Sequence, residues 1–105
     1  MAQFAVYKNK NAVTRARFPL LLDIQSDLLD PLATRVVVPL APMGPARARS
    51  MQTLTPSIRV EGKEYVMVTP QLAGIATSEL GPVVADASSS RLAIISALDF
   101  LISGV

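Results

Sequence analysis

Three aspartates stand out among the side chains of this 105-residue sequence that could do chemistry. Asp23, Asp27 and Asp30 follow one another at i, i+4 and i+7, which makes a divalent metal site one interpretation. The other interpretation is turn chemistry, in which Asp side chains accept hydrogen bonds from nearby backbone N–H groups. Because the segment lacks the dense oxygen cage of a Ca²⁺ loop, turn chemistry is favoured. We therefore expect neither a metal nor another cofactor.

The amino-acid composition removes several kinds of catalysis at once. The sequence contains no His, no Cys and no Trp. Zinc sites built on Cys or His, thiol chemistry, disulfides and the Ser-His-Asp triad are therefore excluded. Any catalysis would have to come from Asp, Glu, Lys, Arg, Tyr, Ser or Thr.

Basic residues concentrate early in the chain, at Lys8, Lys10, Arg15 and Arg17. The first 60 residues hold eight Lys or Arg against three Asp, whereas the remainder holds two basic residues against five acidic ones. A solvated loop over residues 8–17 is one interpretation, since loops collect charge. Contact with an acidic partner is the other. No aromatic residue is interleaved for base stacking, so an acidic peptide is favoured over RNA.

Alternation of apolar residues and turn residues predict the elements that position these groups. Gln3–Tyr7 reads as a strand with Phe4 and Val6 on one face and Tyr7 on the other. Further strands are predicted over residues 20–24, 35–40, 58–60, 65–68 and 71–75, with a turn or short helical turn over 26–32. The link Glu61–Glu64 predicts a hairpin, and Gly81-Pro82 is expected to close the strand region, which spans about residues 3–77.

A helix is predicted over about residues 88–103. Asp86 and Ser88–Ser90 are its N-cap candidates, and Gly104 is its expected left-handed C-cap. Ser96, Asp99 and Ser103 form one narrow polar stripe on a surface that is otherwise apolar. Because such a helix is usually covered on several sides, we expect a sheet and a partner subunit against it. The predicted fold class is mainly β with a C-terminal helix, in a single domain, 1–105.

Hydropathy predicts where the protein resides. Half of the sequence is hydrophobic and the mean hydropathy is +0.41. No export signal is recognisable, and no apolar run approaches the roughly 20 residues that cross a bilayer. We therefore expect a soluble, cytoplasmic protein with no membrane partner.

Taken in order, several segments resemble the CcdB-type toxins of bacterial toxin–antitoxin modules. The resemblance begins with Gln3-Phe4-x-Val6-Tyr7 and continues through Leu22–Asp30, with the sequence LDIQSDLLD. It then includes Arg35–Leu40 and Tyr65–Thr69, and it ends with a hydrophobic helix and Gly104-Val105. Each fragment is weak alone, but their order and spacing in a chain of this length are fairly specific.

The resemblance implies a small SH3-like antiparallel β-barrel with a C-terminal helix, assembled as a homodimer. It implies a non-enzymatic toxin that binds the A subunit of DNA gyrase, traps gyrase on cleaved DNA and is neutralised by a partly disordered CcdA-type antitoxin. The implied gyrase-binding residues are Gln3, Tyr7, Ser26, Leu28, Leu29, Asp99, Ile102, Ser103, Gly104 and Val105. The implied antitoxin-binding residues are Lys8, Lys10, Arg15 and Arg17. No sequence-specific DNA binding by the toxin alone is expected, although it can join its antitoxin on operator DNA.

The sequence departs from the best-known family members at its end, where they carry Trp-Gly-Ile and this chain has Ser103 in place of Trp. Loss of a buried Trp contact costs about 2 kcal/mol or more. One alternative is therefore a detoxified member that only binds its antitoxin. The other is a MazF-like endoribonuclease, in which Arg15 or Arg17 would stabilise phosphorane charge and an Asp or Ser would act as acid or base.

Overall fold

The computed structural model describes residues 2–29, 31–44 and 53–104. These residues form a mainly β fold with one C-terminal helix, as predicted. The elements are β1 (Ala5–Asn9), β2 (Leu20–Asp23), β3 (Thr34–Pro42), β4 (Ser57–Val60), β5 (Lys63–Met67), β6 (Ala73–Ala76), β7 (Leu80–Asp86) and α1 (Arg91–Ser103). Short 3-10 turns connect them at Asp27–Leu29, Thr69–Gln71, Thr77–Glu79 and Ser88–Ser90.

The strands form one antiparallel sheet that curls into a half-barrel. Their order is β4-β5-β3-β2-β1-β7, and β6 lies beside β3. One edge of β3 is shared, because its Thr34–Val37 half pairs with β6 and its Leu40–Pro42 half pairs with β5. The other edge pairs with β2. The β-branched run that begins at Arg35 is therefore the central strand that the sequence predicts.

Alternating residues of the strands supply two apolar layers. Val6, Leu22 and Leu40 are fully buried on the concave face, where Ile94 and Ala97 of α1 cover them. A smaller cluster occupies the other face; its buried members are Ala5, Tyr7, Leu21, Val37 and Leu80. The predicted separation of Phe4 and Val6 from Tyr7 is confirmed, since the first two belong to the concave cluster and Tyr7 to the other.

The predicted β4–β5 hairpin is present, with a shorter turn than expected. Lys63 and Glu64 belong to β5 and pair with Val60 and Arg59, so that Glu61-Gly62 alone make the turn. Both turn residues have positive φ, 52° and 81°. Two such residues match the right-handed twist of the flanking strands.

The last strand was not predicted, and the expectation that Gly81-Pro82 closes the strand region is wrong. Both residues lie inside β7, which extends the strands beyond residue 77. A Cβ on Gly81 would lie 2.8 Å from the carbonyl oxygen of Lys8, so glycine allows β7 to approach β1 closely. Pro82 is tolerated because β7 is an edge strand.

The solvated loop predicted over residues 8–17 begins later than expected. Lys8 and Asn9 belong to β1, where Lys8 pairs with Leu20 of β2 and Asn9 pairs with Leu80 of β7. Because the side chains of Lys8 and Asn9 are polar, the sequence pattern did not predict that β1 continues beyond its apolar residues. The loop proper therefore follows Asn9.

The helix ends as predicted but begins differently. Gly104 has φ of 76°, and its N–H donates to the Phe100 carbonyl at 2.9 Å, which is a left-handed C-cap. At the other end, Ser90 makes no side-chain capping bond, and the Asp86 carboxylate instead accepts the Ser88 N–H at 2.8 Å. Across the part of the chain described here, no helix has the length and hydropathy needed to cross a membrane.

Candidate functional site

The turn after β2 presents two of the predicted gyrase-binding residues to solvent. Leu28 is 90% exposed and Leu29 is 47% exposed, while Ser26 is half-buried. The Ser26 hydroxyl accepts the Leu28 N–H at 3.2 Å, and the Ser26 carbonyl accepts the Leu29 N–H at 3.0 Å. We call residues 26–29 the apolar turn, because its two leucine side chains face solvent on a locally hydrogen-bonded backbone.

Gln3 is brought to the apolar turn, although 24 residues separate it from Asp27. Its backbone N–H donates to the Asp27 carboxylate at 2.7 Å, and its side-chain amide donates to the Ile24 carbonyl at 3.2 Å. The chain turns sharply beside it, since Phe4 has a φ of 70°. A bulky residue in that region costs about 1–3 kcal/mol, so the surrounding contacts must hold it there.

Tyr7 is placed differently from the other predicted gyrase-binding residues. It is 4% exposed and packs in the cluster that lies opposite α1. Its neighbours across the strands are Leu21 and Val83. Because Tyr7 is buried, it can contribute to the predicted gyrase contact only indirectly, through the strands beside it.

A second exposed group lies on the last turn of α1. Ile102 is 84% exposed, and Asp99, Ser103 and Gly104 are exposed beside it. The Ser103 hydroxyl donates to the Asp99 carbonyl at 2.7 Å, so its donor is already used within the helix. Val105, which the sequence also places in this group, lies outside the described residues.

An ion pair that the sequence analysis missed lies beneath the apolar turn. Arg35 Nη2 is 2.8 Å from Asp23 Oδ2, and both side chains are completely buried. Burial raises the pKa of the Asp23 carboxyl, and the hydrogen bond and charge of Arg35 oppose that rise. The available signal was a pair of opposite charges, one at the end of an apolar strand and one at the start of the next.

The three aspartates of the predicted turn differ in their hydrogen-bond partners. Asp23 Oδ1 accepts the Gln25 N–H at 3.0 Å, which is the turn chemistry that the sequence predicts. Asp27 accepts a backbone N–H from Gln3 rather than from its own turn. Asp30 lies outside the described residues. Within residues 2–29, 31–44 and 53–104, no three acidic side chains are arranged to hold a metal ion.

The four predicted antitoxin-binding residues are all exposed, around a loop that is internally hydrogen-bonded. The Asn11 side chain accepts the N–H groups of Val13 and Thr14 at 2.8 and 3.1 Å. The Asn9 amide donates to the Phe18 carbonyl at 2.8 Å. Lys8, Lys10, Arg15 and Arg17 thus surround an ordered loop, residues 10–19, which we call the basic loop. The Arg17 guanidinium lies 5.0 Å from the centre of the Phe18 ring.

A comparison with protein families covers nearly the whole chain. The family model described as CcdB protein matches residues 3–104. The matched segment includes the apolar turn, the basic loop, the buried ion pair and the whole of α1. The resemblance seen in the sequence is therefore confirmed.

Proposed function

The chain belongs to the CcdB family of toxin–antitoxin toxins, and we propose that it binds the A subunit of DNA gyrase and traps gyrase on cleaved DNA. It does so as a homodimer in the cytoplasm. A partly disordered CcdA-type antitoxin neutralises it and joins it on operator DNA.

The observation that carries this proposal is the exposure of large apolar side chains on and just after the apolar turn. Leu28, Leu29 and Leu32 are 90%, 47% and 50% exposed. Exposed apolar side chains gathered in one region mark interaction sites, and burying a Leu contributes roughly 1.5–3 kcal/mol. Two of these leucines stand at positions that the family resemblance assigns to gyrase.

A non-enzymatic mechanism agrees with the groups beside the turn. The family is generally one of non-enzymatic toxins. Asp23 is buried against Arg35, and Asp27 accepts the Gln3 N–H, so both acids have structural partners. Asp23 is completely buried and therefore out of reach of a substrate, whereas Asp27 is exposed but is used to hold the Gln3 backbone. The apolar turn offers surface for docking rather than a reaction centre.

The basic loop supports the antitoxin part of the proposal. Lys8, Lys10, Arg15 and Arg17 are exposed at a chain region with no acidic residue before Asp23. An acidic antitoxin tail would gain attraction to these cations and would fold as it binds. The ordered backbone of the loop lowers the entropy cost on the toxin side.

The helix supports assembly with a second copy. The sheet covers only one side of α1, which leaves Leu92 82% exposed and Leu101 37% exposed. Burial of such side chains between two copies would remove them from water. Sedimentation at micromolar concentration is expected to show a dimer, and a clean monomer would contradict this assembly.

The test of the function combines pure protein, gyrase, ATP and relaxed plasmid, with supercoiling and linear DNA scored together. Accumulated linear DNA is the expected result. Blocked supercoiling without cleavage would mean gyrase binding with another mode of inhibition. No effect on supercoiling or on linear DNA would favour the detoxified alternative. That alternative is the second candidate, because Ser103 stands in place of Trp and its hydroxyl is bonded to the Asp99 carbonyl. RNA degradation without gyrase would instead identify a nuclease.

A further inference from the structure

The apolar turn has no core packing of its own. Its 3-10 segment is three residues long, Asp27–Leu29, and none of them is buried. Because Leu28 is 90% and Leu29 47% exposed, hydrophobic burial contributes little to fixing their direction. Hydrogen bonds to the rest of the molecule supply the other contribution.

Gln25 connects the turn directly to the central strand of the sheet. Its side-chain oxygen accepts the Val36 N–H of β3 at 3.0 Å, and its side-chain nitrogen donates to the Leu29 carbonyl at 3.2 Å. Its backbone N–H donates to Asp23 at 3.0 Å. The residue is 7% exposed; its backbone bond to Asp23 is buried, and its two side-chain bonds are partly buried. One amide thus connects the end of the apolar turn to the central strand.

Arg35 holds the same residue from beneath. Its Nε and Nη2 lie 2.9 and 2.8 Å from Asp23 Oδ2, which fixes the guanidinium plane. Its Nη2 also donates to the Gln25 carbonyl at 3.1 Å and lies 4.0 Å from Asp27 Oδ1. The guanidinium therefore contacts the strand before the turn, the residue that leads into the turn and the first residue of the 3-10 segment.

Net stability does not account for this arrangement. A buried ion pair adds little to stability, because desolvation of its charges offsets their attraction. Such a pair does fix geometry, since each charge must keep its partner. Here the guanidinium of the pair also donates to the carbonyl of Gln25, the residue that leads into the apolar turn.

We propose that Gln25 and Arg35 are positioning residues, which hold Leu28 and Leu29 in the orientation that docks on the partner. This inference rests on the proposed function. Neither residue touches the partner itself. Their effect is exerted through the backbone of the apolar turn.

The test replaces Gln25 by Met, which has a similar length and lacks both side-chain hydrogen bonds. The matched control is Asn9→Leu, which removes an amide bonded to the Phe18 carbonyl in the basic loop. Gln25→Met is expected to lower affinity for the gyrase A subunit about tenfold and to leave antitoxin affinity unchanged. Asn9→Leu is expected to leave gyrase affinity unchanged.

A double-mutant cycle separates positioning from direct contact. If Gln25 acts through the turn, Gln25→Met and Leu28→Ala together lose less affinity than the sum of the single losses. Additive losses, or unchanged affinity in Gln25→Met, would overturn the proposal. Arg35→Lys is the second variant, because one ammonium cannot hold both Asp23 and the Gln25 carbonyl in the geometry of the guanidinium fork.

Hydrogen exchange of the free toxin makes the test independent of gyrase. The Leu28 and Leu29 amides are expected to exchange about fivefold faster in Gln25→Met than in the wild type or in Asn9→Leu. Unchanged exchange at both amides would overturn the positioning role. If the wild type binds no gyrase while these amides respond as expected, the proposed function fails and the positioning of the turn stands.

Discussion

Arg35 and Asp23 form a completely buried ion pair across the β2–β3 edge, with Nη2 and Oδ2 2.8 Å apart. Three N–H donors converge on this carboxylate, two from Arg35 and one from the Gln25 backbone. Intact, the pair contributes little net stability, because burial works against the ionised carboxylate. Broken, it leaves the buried guanidinium without its close counter-charge and with the exposed Asp27 carboxylate 4.0 Å away.

Asp23→Asn is therefore expected to lower the free energy of unfolding by about 3 kcal/mol or more. An asparagine must also aim its NH₂ group at one of the three donors. The matched control is Glu64→Gln, which breaks the exposed pair with Arg59, 2.9 Å long. That change should cost less than about 1 kcal/mol. Urea unfolding of both variants checks the contrast, and equal losses would contradict it.

Leu28→Ala is expected to weaken gyrase binding about tenfold and to leave thermal stability unchanged, because Leu28 is 90% exposed in the free protein. Val13→Ala serves as control, since Val13 is 89% exposed on the basic loop. Surface plasmon resonance against the gyrase A subunit measures both. Equal affinity losses would show that exposure alone, and not the apolar turn, determines binding.

Ser103→Trp is expected to strengthen gyrase poisoning by roughly thirtyfold in affinity. The substitution restores an aromatic side chain to the end of α1 and removes the hydroxyl that donates to Asp99. Ser96→Trp places the same ring earlier on the same polar stripe and should give no gain. Growth arrest and the yield of linear plasmid are the measurements. A gain from both substitutions would indicate nonspecific association.

Arg15→Ala with Arg17→Ala is expected to lower antitoxin affinity and to flatten its dependence on salt, since two cations leave the basic loop. Gyrase inhibition should not change. Arg59→Ala, which removes an exposed cation from β4, is the control and should keep the wild-type salt dependence. Titration calorimetry at two ionic strengths measures the effect. Loss of gyrase inhibition in the double variant would mean that gyrase and the antitoxin both bind the basic loop.

Gly81→Ala is expected to destabilise the fold by about 1–3 kcal/mol, because the new Cβ would lie 2.8 Å from the Lys8 carbonyl oxygen. Gly74→Ala in β6 is the matched control, since a Cβ there meets nothing within 4 Å. That change should be neutral or slightly stabilising. Thermal unfolding of the two variants decides whether close approach of β7 to β1 is required.

Local sequence patterns predicted those elements that are determined by residues close together in the sequence. The alternation of Phe4 and Val6, the β-branched run after Arg35 and Gly104 as a cap each depend on neighbours in sequence. The β7 strand escaped prediction because its Gly81 is explained only by contact with Lys8, far away in the chain.

Within the candidate site, too, some residues could be predicted from the sequence and others could not. Exposed residues such as Leu28 were identified through resemblance to a family. The roles of Gln25 and Arg35 depend on the register between β2 and β3, and no local pattern reports that register. Their contacts with the turn exist only in the folded structure, where β2, β3 and the apolar turn lie together.

Pairing of the first strand with the last one has a consequence for synthesis on the ribosome. β2 follows β1 closely in the chain and pairs with one of its edges, but the partner of the other edge, β7, is made much later. The concave cluster, which includes Phe4 and Ile94, closes only when α1 packs on it. A nascent chain therefore holds an unfinished, aggregation-prone sheet through most of its translation. A host cell is exposed to the folded toxin only after nearly the whole of the described chain has been synthesised.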